Sequence, residues 1–155
     1  MKLFVGTWII HPINSGAYAG VLDNGVFKSA PILGFVGDVT SIKLKLVGVI
    51  SCLEQLRQPS EITLEVDDDY IYHCVNDWAA WWSQNGWKTK AGNVVANQAE
   101  VERLYQLLKT HSVTAAQPQS QEDQTFHSAL VATARNYAFR RGQEIRAACH
   151  PQAPR

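Results

Sequence analysis

From Lys2 to Ile10 (KLFVGTWII) the chain is almost wholly apolar, with β-branched and aromatic side chains, which predicts a strand. Pro12 to Gly16 reads as a turn, and residues 17–23 as a second strand. Asp23-Asn24-Gly25 is a hairpin signal, because Asn-Gly favours the positive φ angles of tight turns. A third strand is predicted over 26–36, with Pro31 marking an edge or a bulge. From Ser41 the period changes. Ile42, Leu46, Val49, Ile50, Leu53 and Leu56 recur at helical spacing, with Thr40 or Ser41 as the cap and Pro59 beyond the end.

The apolar pattern returns to strand at 61–66, then to helix at 69–83 and at 97–109. His111 to Ala115 reads as a short fifth strand. The polar run QPQSQEDQ, Gln117 to Gln124, reads as a loop, and Phe126, Leu130, Thr133, Ala134 and Tyr137 mark a last helix to about Ala147. Three hairpin-connected strands, a helix, a strand, helices, a strand and a helix imply an α/β fold: a mixed five-stranded sheet flanked by helices. One domain over 1–147 and a flexible tail over 148–155 are expected, with no internal repeat.

Composition narrows the functions. Lysine plus arginine and aspartate plus glutamate are 14 each, so net charge offers no argument for nucleic acid or an anionic membrane. Cys52, Cys74 and Cys149 have no zinc-like spacing and suggest reduced thiols in a cytoplasmic protein. No apolar run is long enough to span a bilayer, and the start lacks a signal-peptide pattern. His11, His73, His111, His127 and His150 show no ligand spacing and read as surface or structural.

The chemistry-bearing candidate is Asp67-Asp68-Asp69 at the end of the 61–66 strand. Such a run caps a helix and complements its dipole, or it holds a metal. Glu65 shares a strand face with Asp67 by period two and, with Asp38 or Asp123, would make a rearranged site. Trp78, Trp81 and Trp82 at helical spacing read as packing, with base stacking as the alternative. Arg140, Arg141 and Arg146 form a basic patch that suits a phosphate or acidic-protein contact, or simply a solvated helix end.

The order of elements, together with Asp67, Tyr70, Trp78, Trp82, Gly86-Trp87-Lys88-Thr89, Asn97 and Glu102-Arg103-Leu104, resembles type I ribonuclease H over about residues 1–146. The resemblance implies the ribonuclease H-like fold and hydrolysis of the RNA strand of RNA–DNA hybrids. Four carboxylates would hold two Mg²⁺ or Mn²⁺ ions. Carried over position by position, those carboxylates fall at Gly6, Lys45, Asp67 and near Ala129. Only Asp67 is retained. Glycine and alanine supply no ligand, and an ammonium cannot coordinate a metal or activate water. The histidine loop of the family becomes Ala115-Ala116-Gln117-Pro118-Gln119.

The implied expectation is a degenerate, non-catalytic ribonuclease H-like module that binds nucleic acid (hybrid or duplex) or a protein partner. No cofactor and no membrane association are expected. Trp78, Lys88, Lys90 and Asn97 would be the nucleic-acid contacts, and Trp8 and Ile9 an apolar partner surface. A Lys45–Asp67 ion pair would close the site to metal. The alternative is an active hybrid-directed nuclease, its metal, Mg²⁺ or Mn²⁺, held in a rearranged site around Asp67.

Overall fold

A computed structural model describes residues 1–149. Five strands form one sheet: β1 (Lys2–Ile10), β2 (Ser15–Asp23), β3 (Ile32–Val36), β4 (Glu61–Glu65) and β5 (Ser112–Ala116). Their spatial order is β3-β2-β1-β4-β5; β1 is antiparallel to β2 and parallel to β4. Helix α1 (Ser41–Leu53) begins at Thr40, whose hydroxyl accepts from the Lys43 amide at 3.2 Å. Helix α2 (Asp69–His73) runs through a π-helical turn (Cys74–Trp78) into α3 (Ala79–Gln84). Helices α4 (Gln98–Thr110) and α5 (Gln121–Cys149) complete the chain, so the mixed five-stranded α/β sheet is as expected.

Period-two alternation along β1 splits the core. Leu3 and Val5 face α1 and α4 among Leu46, Val49, Leu64, Val101 and Leu104. Phe4 faces α5 with Ala19, Val21, Leu130 and Ala134. Small residues on that second face let α5 lie close to the sheet.

Three expectations are corrected. The third strand starts at Ile32, not at residue 26, with only an isolated Asp23–Lys28 bridge before it. The Asn24 side chain accepts the amides of Val26 and Phe27 at 2.9 and 2.8 Å, and Pro31 has no amide to give. These local bonds displace the ladder. The last helix starts at Gln121, inside the polar run, because Ser120 accepts the Asp123 amide at 3.0 Å and Glu122 and Asp123 complement the first turn. It also extends past Ala147, so residues 148 and 149 of the expected tail are helical, while 150–155 lie outside the described residues. Among the described residues no helix is long and apolar enough to cross a membrane.

Cys52 and Cys74 are free and buried, and burial pushes both thiols up to about 12, so they are packing groups rather than nucleophiles.

Candidate active-site cleft

Strands β1 and β4 pair only from Lys2–Thr63 to Phe4–Glu65. Beyond that point β1 continues along β2 while the chain after β4 turns into α2. A cleft opens there, outside the carboxyl end of β4, which is where ligands commonly bind in open α/β sheets. Its cavity of about 410 Å³ is walled by Val5, Val49, Val66, Ile71 and Val131, with Trp8, Lys45, Asp67 and His127 around it.

The three aspartates divide their tasks. Asp68 is the α2 N-cap: one carboxylate oxygen accepts the Ile71 amide at 2.9 Å, and the other accepts from the Lys45 ammonium at 2.8 Å. Burial pushes the Asp68 carboxyl up, but these two hydrogen bonds and the Lys45 charge outweigh it and hold the group below its ordinary value. Asp69 lies in the first helical turn. Asp67 is 69% exposed at its side chain, and His127 Nε2 lies 3.8 Å from its carboxylate. The anticipated Lys45–Asp67 pair is therefore corrected. Lys45 reaches Asp68, because the capping geometry turns that carboxylate toward α1 and leaves Asp67 in solvent.

Gly6 has no room for a side chain. A Cβ there would lie 2.5 Å from the Val131 amide nitrogen and 2.7 Å from the Leu130 carbonyl carbon, both backbone atoms of α5. One turn earlier on α5, the buried His127 bonds through Nε2 to the Val5 carbonyl oxygen at 3.2 Å. Ala129 is exposed on the same helix. Among the described residues, no group of three or more His, Cys, Asp and Glu side chains is placed to hold a metal ion.

Glu65 and Asp123 do come together, but around Lys2. Its ammonium lies 2.7 Å from Asp123 Oδ2 and 4.0 Å from Glu65 Oε1. Burial, reinforced by the Asp123 charge, pushes the Glu65 carboxyl up against the opposing pull of Lys2 and His127. A carboxyl raised in the folded state contributes stability that is fully present below its unfolded value and is lost as pH rises through the folded value. Glu65→Gln is therefore expected to flatten a decline in stability that sets in as pH rises past about 4.5; urea melts at several pH values check it, and an unchanged slope refutes it. Asp38 sits apart, on the loop before α1, in a left-handed conformation at φ 49°.

The other expected contacts lie on the α2–α4 side. Trp78 stacks on His73 at 4.9 Å between ring centroids and meets Tyr70 and Trp82, so it is largely a packing residue. Lys88 is exposed beside its backbone bridge to Val94. Lys90 is exposed over the Trp81 ring at 5.8 Å. Asn97 starts α4 at φ 56° without a side-chain cap bond, which makes its role one of backbone geometry. Sequence reasoning missed His127 as a cleft residue. No spacing signal marks it, since it reaches Asp67 only through the packing of α5 on β1.

A profile of the RNase H family matches residues 13–117, most of the chain. The chain belongs to the RNase H family. Ribonuclease H of Francisella tularensis subsp. novicida (strain U112) is 35% identical over 100 residues. Ribonuclease H of Francisella philomiragia subsp. philomiragia is equally similar. Each match covers 64% of this chain and 64% of the relative's length. Among solved structures, the RNase H domain of prototype foamy virus superposes with a TM-score of 0.68 at 14% identity, covering 90% of this chain and 92% of that one. RNase H1 of Halobacterium salinarum gives 0.62 at 15% identity, covering 88% and 98%. These likenesses show the RNase H-like fold. The profile match contains Lys45 and Asp67, whereas Gly6 and Ala129 lie outside it.

Proposed function

We propose that this RNase H family member is a non-hydrolysing binding module, which holds nucleic acid (RNA–DNA hybrid or duplex) or a protein partner without cutting it. The observation that carries this reading is the seat of α5 on Gly6: the helix backbone fills the space in which a first-strand carboxylate would stand. The remaining residues do not fit a two-metal centre. Asp67 has His127 as its neighbour, Lys45 brings an ammonium into the cleft, and Ala129 offers no ligand atom from its side chain.

Binding would use the exposed Lys88 and Lys90, in the segment where the resemblance places contacts to the DNA strand. A solved relative, LC11-RNase H1, is a complex with RNA/DNA hybrid, which supports hybrid as the first ligand to test. With two lysines in that region, nucleic-acid affinity is expected to be weak and to fall only modestly with salt, since the slope grows with the number of phosphates neutralised.

The competing reading, a nuclease rearranged around Asp67, has that residue's exposure and its His127 neighbour in its favour. A labelled RNA–DNA hybrid incubated with Mg²⁺ or Mn²⁺ separates the two. The expected outcome is an intact RNA strand. Cleavage that disappears in Asp67→Asn would sink the non-hydrolysing reading. Gel-shift titrations with hybrid, duplex and single strands at two salt concentrations then test binding. No shift with any of them moves the weight to a protein partner.

A further inference from the structure

The opposite end of β1 from the sheet's entry carries a second groove, between the turn after β1, strand β3 and the last turns of α5. It encloses about 500 Å³ and is lined by Ile10, Ile13, Phe35, Phe139, Ile145 and Arg146, among others. Ile13, Phe139 and Ile145 remain 48%, 44% and 43% exposed, which is costly for large apolar side chains that nothing among the described residues covers. The carboxyl-terminal half of α5 extends beyond the sheet at this point. Gly142 still faces β1 here: a Cβ added to it would lie 3.7 Å from Ile10 Cδ1.

Positive charge predominates around this groove, with Glu144 as the acidic residue on the same half of α5. Arg146 lines it, and Arg135 lies over both Trp8 and Phe139, at 5.4 and 5.8 Å from the ring centroids. Arg140 and Arg141 stand on the same half of the helix, and among the described residues Arg141 pairs with Glu144 while Arg140 has no acidic partner. The whole chain is neutral, with 14 basic and 14 acidic residues, so this end is a local excess of positive charge. Stacking on the rings holds the Arg135 guanidinium in place and leaves its edge free to meet a carboxylate.

We propose that this groove docks an amphipathic, acidic segment of a partner protein, with apolar side chains seated between Ile13, Phe139 and Ile145 and carboxylates meeting Arg135 and Arg146. Charge complementarity selects the acid. The apolar floor selects protein over nucleic acid, since a phosphodiester backbone would leave that floor unsatisfied and a single helix face covers it. The groove shares no lining residue with the cleft, and Arg135, stacked on Trp8, is where the two sites approach one another.

The test uses the full chain and two fluorescent peptides at helical spacing, one of Leu and Glu, its twin with Lys in place of Glu. The Leu–Glu probe is expected to bind saturably, more weakly as salt rises, and the Lys twin not to bind. Arg146→Glu and Phe139→Ala change exposed side chains, so the fold survives, and each is expected to weaken the probe by about tenfold. Absence of saturable binding, equal affinity for the Lys twin, or indifference to both substitutions overturns the proposal. So does an RNA–DNA hybrid that displaces the probe and responds to the same two substitutions, which would make this a nucleic-acid surface. Hybrid cleavage in the assay above would refute the non-hydrolysing reading and leave this groove's result standing.

Discussion

Gly6→Ala is expected to destabilise the protein by about 3 kcal/mol, the upper end of the usual overpacking range, because the atoms it meets are helix backbone rather than a flexible side-chain tip. For a chain of this size that is a fall of roughly 6–12 °C in melting temperature. Gly6→Asp, which installs the carboxylate that the resemblance would put at that position, is expected to cost more, since the larger side chain adds a buried charge to the same clash. Gly142→Ala is the matched control. Its Cβ would make an ordinary 3.7 Å contact with Ile10, so alanine is expected to stabilise α5 by about 0.5–1 kcal/mol. Thermal melts of the three variants decide the matter. A Gly6→Asp protein that melts with the parent would mean that α5 yields easily, and with it the main objection to a rebuilt metal site would go.

Asp68→Ala is expected to cost about 2 kcal/mol: about 1 for the lost helix cap and about 1 for the partly buried ion pair with Lys45. Asp67→Ala is expected to fall within about 0.5 kcal/mol of the parent, as an exposed side chain without a cap or close pair. The resemblance makes Asp67 the candidate metal ligand, whereas for stability its neighbour Asp68 is expected to matter more. The pH dependence gives a second check. A carboxyl held below its ordinary value contributes stability that is present above the unfolded value, about 3.8, and is lost as pH falls through the folded one. The gap between parent and Asp68→Ala should therefore narrow on acidification below that point. Denaturant titrations at neutral and acid pH measure it, and an Asp67→Ala cost exceeding that of Asp68→Ala would refute the division of roles.

The elements were largely legible because their signals are local. Apolar alternation in β1 and the helical period in α1 survive any tertiary arrangement. Where reading failed, a side chain had taken over a backbone bond. Asn24 removed the amides of Val26 and Phe27 from the expected third strand, and Ser120 began α5 inside a polar run. Ser120 with Glu122 and Asp123 after it was a visible capping signal, masked by the low complexity around it.

At the cleft the division is sharper. Residue identities alone determined that Asp67 stands without the carboxylates expected at Gly6, Lys45 and Ala129, since a side chain that is absent cannot coordinate in any fold. Which aspartate Lys45 would hold was a question of direction, and only the α2 cap answered it by turning Asp68 inward. That Gly6 is closed, rather than merely vacant, depended on how near α5 comes to β1, a distance set by Ala134, Ala138 and the other small residues between them. Sequence specifies which groups exist. Contacts between elements far apart in the chain, such as His127 with Val5 and Asp67, arise only when packing brings those elements together.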